Sequence, residues 1–472
     1  MKRFKKTICT VLSVLLLMVL FTGCSSQNTG GQPGNNGHPG GTPPDMPSGG
    51  GPGGTPPEGG MPPGGHSSAD VNKATVTISA SVSESDKTYS ADTADESALM
   101  ISTSDEVTIT DPTVTKTGDS NGGDNCNFYG LNAAVLVKDG SKTTITGGSI
   151  SSSASGANGV FCYGGNGGKN GAAGDGTTVI IRDTEITTTG SGSGGIMTTG
   201  GGVTYAYDLK VTTSGQSSAP IRTDRGGGTV YVDGGTYTSN GLGSPVIYST
   251  ADISVANATL ISNLSEGVCI EGKNSITLTD CELTANNTRC NGNATFLDTI
   301  MIYQSMSGDA DSGTSAFTMK GGTLTSKNGH VFHVTNTNAV ISLEGVTIVN
   351  EDSANVLLSV CDDGWSGSSN IAALNASNQQ LKGAILVGSN STLTLNLSGG
   401  TVFTGYIGGN ITNAKGTVVS SSVGTVSVTL DSSSTWNLTA DSYVTSFNGD
   451  ASSVRTNGYT LYVNGTALKG TN

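Results

Sequence analysis

Past residue 100 the chain repeats one short pattern: apolar, any residue, apolar, a gap of four rich in Gly, Asp or Asn, then an apolar residue followed by Thr or Ser. TVYVDGGTYTSNG from Thr229, DISVANATLISN from Asp252, SITLTDCELTAN from Ser275 and AVISLEGVTIVN from Ala339 are clear copies. Ten copies align on inward triplets, among them Val107/Ile109/Val114, Val179/Ile181/Ile186, Val230/Val232/Tyr237, Ile276/Leu278/Leu283, Ile341/Leu343/Ile348 and Leu395/Leu397/Val402. Period two before the gap and a resumed apolar position after it predict two short strands meeting at a bend, with each triplet pointing inwards. The closest copies recur every 23 to 26 residues, the length of one solenoid turn, and longer steps predict turns carrying inserted loops. A second strand set follows each pair, as in Val160-Phe161-Cys162, Pro220-Ile221-Arg222, Val246-Ile247-Tyr248 and Val331-Phe332-His333. Three strands per turn predict an all-β, right-handed parallel β-helix of about eleven turns across residues 71–424. Residues 425–472, with Trp436, Tyr443, Phe447, Tyr459 and Tyr462, are expected to close the last open rung, which would otherwise template aggregation.

Composition agrees with strands joined by tight turns. Glycine accounts for 71 of 472 residues and charged residues for only 12%, which disfavours helix. The opening residues MKRFKKTICTVLSVLLLMVLFTGC combine a basic start, an apolar run from Val11 to Phe21 and small residues ahead of Cys24. That run is too short to span a bilayer and predicts an export signal over residues 1–23. Phe21-Thr22-Gly23-Cys24 resembles a bacterial lipobox, with Phe21 in place of the usual leucine. The resemblance implies cleavage before Cys24, a lipid on its sulfur, and an extracytoplasmic protein held to the cell membrane by that lipid. Residues 24–70 are Pro-, Gly- and Ser-rich, bury nothing and predict a tether. Formal charge is −14, and removing residues 1–23, which hold Lys2, Arg3, Lys5 and Lys6 but no acid, gives −14 − 4 = −18. Nucleic acid is an unfavourable partner for such a chain, and polyanionic substrates such as pectin would need a bridging cation.

The repeat resembles that of the pectate-lyase-like β-helix superfamily, including the solenoid adhesins of bacterial surfaces. The resemblance covers about residues 75–425 and rests on pattern, so it implies fold more than activity. A lyase of this superfamily would need grouped acids for calcium and a basic residue poised to take a proton. The nearest group is Arg222, Asp224 and Arg225 in IRTDRGGG, with Glu271 and Lys273 further on, and a charge pair on a turn explains it more simply. A hydrolase of the polygalacturonase kind would place paired aspartates before a Gly-His-Gly segment. Asp362-Asp363 instead follows Gly329-His330, and adjacent residues on a strand face opposite ways. Asn121–Asn125 and Gly308–Asp311 each offer oxygen ligands for one calcium, although solvated loops use the same residues, and no cofactor is required. The spacing permits a Cys281–Cys290 or a Cys126–Cys162 disulfide without selecting either.

Tyr163, Arg222, Tyr248, Glu271, Tyr303, Gln304 and His333 recur at similar places in the second strand set. With Asp224 and Arg225 they are the candidate ligand residues, expected to line one side of the solenoid. Three functions follow as expectations: a non-catalytic adhesin or binder of a polysaccharide, a host glycan or a cell-wall glycan; a polysaccharide lyase or hydrolase; or a structural envelope protein. Lipid anchorage, acidic charge and the missing catalytic constellation favour the first.

Overall fold

In a computed structural model the described residues, 72–167 and 172–470, form three long stacks of parallel strands. The first sheet has 13 strands, from Lys73–Ile78 to Ile407–Gly408, and the second has 14, from Val82–Ser85 to Ser446–Asn448. The third has 10, from Thr88–Ala91 to Thr347–Asn350, and is continued by a separate set of four ending at Val454–Arg455. The chain visits the sheets in rotation, which makes a three-sided parallel β-helix. The signal, Cys24 and the tether lie outside the described residues.

The predicted triplets form its interior. One column on the second sheet runs in register through Val107, Thr143, Val179, Thr204, Val230, Ile253, Ile276, Phe317, Ile341, Leu374 and Leu395. Each buried apolar side chain in such a column contributes roughly 1.5–3 kcal/mol. Between second and third sheets the polypeptide turns through a column of left-handed residues: Asp111, Gly147, Asp183, Asp208, Gly234, Asn257, Asp280 and Gly321 all have positive φ. That conformation explains the Gly, Asp and Asn of the repeat, since other side chains enter it at a cost.

Two details differ from the sequence pattern. Val402 is half-buried and Phe403 fills the interior, paired with Leu381 and Trp436; the turn after Leu397 holds one residue more than those before it, and one residue reverses the facing of a strand. The long step before it hides a turn in which Ala372, Leu374 and Leu381 point inwards. There the third sheet is interrupted, and the Gln379 amide spans the break by accepting from Val346 N–H (2.9 Å) and donating to Val346 C=O.

The sheets differ in what their outer faces meet. Strands of the second and third alternate between buried and accessible residues, as in Ser275–Thr279 and Glu282–Ala285. Most of those of the first are buried throughout, as in Val160–Tyr163 and Asp298–Tyr303, although Lys73–Ile78 at its start is largely exposed, so another layer lies over the middle of this sheet.

Candidate ligand face

The first sheet carries the candidate ladder, in two outward columns. Phe161, Met197, Arg222, Tyr248, Cys269, Met301, His333 and Ser359 stack in register. Glu271 pairs with Tyr303 in the second column, Tyr163 occupies the same column near its start, and Gln304 follows Tyr303. Tyr163, Arg222, Tyr248, Glu271, Tyr303 and His333 therefore share a face, with Asp224, Arg225 and Gln304 beyond the strand ends, but that face is not open. Tyr163, Arg222, Asp224, Tyr248, Glu271, Tyr303, Gln304 and His333 are all buried, Tyr248 being the most accessible at 7%, and Arg225 is half-buried. The loops that lengthen the repeat fold back as a roof. Tyr129, just after the short helix Asp124–Phe128, packs on Tyr163 with ring centroids 5.6 Å apart. Trp365 lies 4.9 Å from Tyr303, and Phe296 lies 4.6 Å from His333. The rest of the column gives a reason for the cover: Leu136, Phe161 and Met197 on consecutive rungs, Cys269 and Met301 further along, and Leu386 beyond them would be exposed apolar patches if uncovered.

Under the roof several of the polar candidates bond to one another, while Gln304 Nε2 donates to the Ser305 and Ala310 carbonyls. Arg222 Nη2 donates to Asp224 Oδ2 at 2.7 Å and Nη1 to the Ser217 carbonyl at 3.2 Å. Tyr248 and Tyr303 hydroxyls donate to Glu271 Oε2 at 2.6 and 3.0 Å, and Ser305 donates to Oε1. Burial pushes Asp224 up to about 6 against the pull of Arg222, and raises Glu271 against donors from Ser305, Tyr248 and Tyr303. Arg225 holds two loops together: its Nη2 and Nε donate to Asp309 Oδ1 at 2.6 and 3.1 Å, and its guanidinium lies 4.3 Å from the centre of the Phe128 ring.

A second network surrounds His333. Its Nε2 lies 3.3 Å from Asp363 Oδ2, while Ser359 Oγ lies 2.8 Å from His333 Nδ1 and 2.7 Å from His330 Nδ1. Asp363 Oδ1 accepts from Thr295 N, Thr295 Oγ1 and Gly364 N at 2.6–2.8 Å. Burial raises this carboxyl, but His333 and those donors outweigh it and hold the group below the usual range. Burial pushes His330 down to about 3, so its ring is neutral near pH 7. Ser359, His333 and Asp363 have the residue types of a nucleophilic triad. Here the buried hydroxyl is shared between two imidazoles, and the chain of contacts pins the Asp363 loop to the sheet.

The spacing-permitted disulfides are absent: Cys126, Cys162, Cys281 and Cys290 are free thiols. Among the described residues no group of three or more His, Cys, Asp or Glu side chains is placed to hold a metal.

An accessible feature lies on the second sheet, away from the candidate ligand residues. Its outward column reads Ile180, Tyr205, Tyr231, Ser254, Thr277 and Thr318. Tyr205 and Tyr231 stack with centroids 5.0 Å apart and planes 12° apart. The neighbouring column brings Arg182 over the Tyr207 ring at 3.7 Å, followed by Asp233, Ala256 and Thr279. Tyr231 thus gives way within one rung to Ser254, and Tyr207 to Asp233 and then Ala256, leaving a recess of about 340 Å³ beside Tyr231, which is 44% exposed. The signal was available in the alternation: Tyr205 falls between inward Thr204 and Ala206, and Tyr231 between inward Val230 and Val232. No family model, curated protein or solved structure matches the chain.

Proposed function

We propose that this chain is a non-catalytic, lipid-anchored β-helix of the pectate-lyase-like kind that binds a cell-surface or cell-wall glycan, with a sugar ring docked in the recess beside Tyr231. The Tyr205–Tyr231 stack carries the reading. Its rings repeat at the rung spacing and stop where Ser254 begins, so the next place in the stack has room for a flat-faced ring. A pyranose offers such a face in its C–H bonds, while Ser254, Thr277 and Asp233 offer hydroxyl and carboxylate groups to its hydroxyls. The groups weighed for lyase chemistry support binding rather than turnover, because Arg222 and Asp224 are buried and paired with each other.

A panel of polysaccharides titrated into the full chain, followed for binding, new reducing ends and absorbance of unsaturated products, tests this. A glycan is expected to bind without shortening, and Tyr231→Ala to weaken it tenfold or more, as loss of about 2 kcal/mol of aromatic contact implies. Turnover that Arg222→Ala abolishes would replace the binding reading with a catalytic one.

A further inference from the structure

The recess beside Tyr231 has a counterpart on the same rungs. A cleft of about 460 Å³ opens where the first sheet turns into the second, lined by Gly201, Gly227, Gly228, Thr229, Asp252 and the Lys273–Asp311 pair. Its floor is largely backbone: at Gly227, where φ is +62°, an added Cβ would meet nothing nearer than 3.8 Å. The cleft and the recess sit at opposite ends of the strands Gly228–Asp233, Asp252–Ala256 and Ser275–Thr279. Between them the middle strand presents Asp252, Ser254 and Ala256, all short, while the preceding strand presents Tyr231 as a wall. Four residue steps along that strand cover roughly 13 Å, longer than a single sugar ring.

The charges along this trough are unbalanced. Lys273 Nζ sits 2.9 Å from Asp311 Oδ2 and is neutralised there. Asp233 and Asp252 are exposed, accept from the neutral Asn257 Nδ2 (2.7 Å) and Ser275 Oγ (2.6 Å), and enter no ion pair among the described residues. Arg182 keeps its positive charge but lies over the Tyr207 ring two rungs before Asp233, with that ring's rung between them. A polyuronate laid in the trough would set its carboxylates against two fixed negative charges, whereas an amine-bearing chain would neutralise them.

Resting on the glycan-binding reading, we infer that the ligand crosses the solenoid along Asp252–Ala256, from the glycine-lined cleft to Tyr231, and that it is an amino-sugar polymer with free amines. Isothermal titration of the full chain with glucosamine, its β-1,4-linked tetramer, the N-acetylated tetramer and tetragalacturonate tests this. The glucosamine tetramer should bind at least tenfold tighter than the monomer and fivefold tighter than the N-acetylated tetramer, and tetragalacturonate should bind more weakly than either tetramer. Asp233→Asn with Asp252→Asn should erase the fivefold preference, so that the variant binds the two tetramers equally; both positions are exposed, and a circular dichroism spectrum confirms folding. Equal affinity for monomer and tetramer would overturn the crosswise path. A preference for tetragalacturonate, or an amine preference that survives the double substitution, would overturn the ligand class. A different glycan bound at Tyr231 with no amine preference would overturn this inference alone, whereas no binding to any glycan of the wider panel would remove the functional reading beneath it.

Discussion

Asp224 illustrates what a roof does to a side chain. Its carboxyl is held at 2.7 Å by Arg222, yet the loss of water outweighs the ion pair and its pKa rises to about 6. The folded chain therefore keeps a proton that the unfolded chain releases near pH 4. That contribution to stability is complete below about pH 4 and is lost as pH climbs through 6, a change on the order of 3 kcal/mol. Asp224→Asn should flatten the decline in stability between pH 4.5 and 7 measured by urea unfolding, whatever it does to absolute stability; an unchanged slope would show that Asp224 does not titrate in this window. The same residue marks the limit of reading a face from sequence. Period two placed Arg222, Tyr248 and His333 in one outward column, and they are in register. Nothing local told that Phe296 and Trp365, from distant loops, would settle over that sheet, because where a loop lands depends on contacts far away in the chain. Conversely the same alternation turns Tyr231 outward, and only the small size of Ser254 one rung later gives it significance.

At the level of the strand and its turn, the repeat was legible because each rung obeys the same two demands. Apolar residues alternate into the core, and a residue tolerant of positive φ stands at the corner between second and third sheets. Gly234 meets both a conformational and a steric demand: its φ is +75°, and an added Cβ would lie 2.1 Å from Asp208 Oδ1 of the preceding rung. Gly234→Ala should cost about 1–3 kcal/mol, read as faster amide exchange in Gly228–Asp233 and Thr236–Ser239. Unaltered exchange there would mean that the corner does not constrain the rung. The slip at Val402 came from the same kind of corner. Thr401 adds one residue, is buried, and bonds to the Ala376 and Ser398 carbonyls at 3.2 and 2.6 Å, so the next strand starts one place later and Phe403, not Val402, faces Trp436. An apolar pair such as Val402-Phe403 satisfies either register in sequence; the turn decides which.

For the whole molecule, one sheet of the solenoid is covered and another carries the proposed trough, and a lipid anchor at Cys24 is proposed. The anchor rests on the lipobox-like Phe21–Cys24 and has its own test. Cys24→Ala should release the protein into the soluble fraction with an unchanged β-rich circular dichroism spectrum, and continued membrane retention would contradict lipid anchorage. The location of the ligand is the claim on which the rest turns. Tyr231 and Tyr443 are both 44% exposed, while Tyr248 and Tyr303 lie under the roof, so these side chains report separately on the trough, on an unrelated surface and on the covered sheet. Hydroxyl-radical footprinting of the full chain, with and without its tightest-binding glycan at saturation, compares them in one experiment. The account predicts protection of Tyr231, with Tyr443, Tyr248 and Tyr303 unchanged; an unprotected Tyr231, or protection found instead at Tyr443 or beneath the roof, would contradict it.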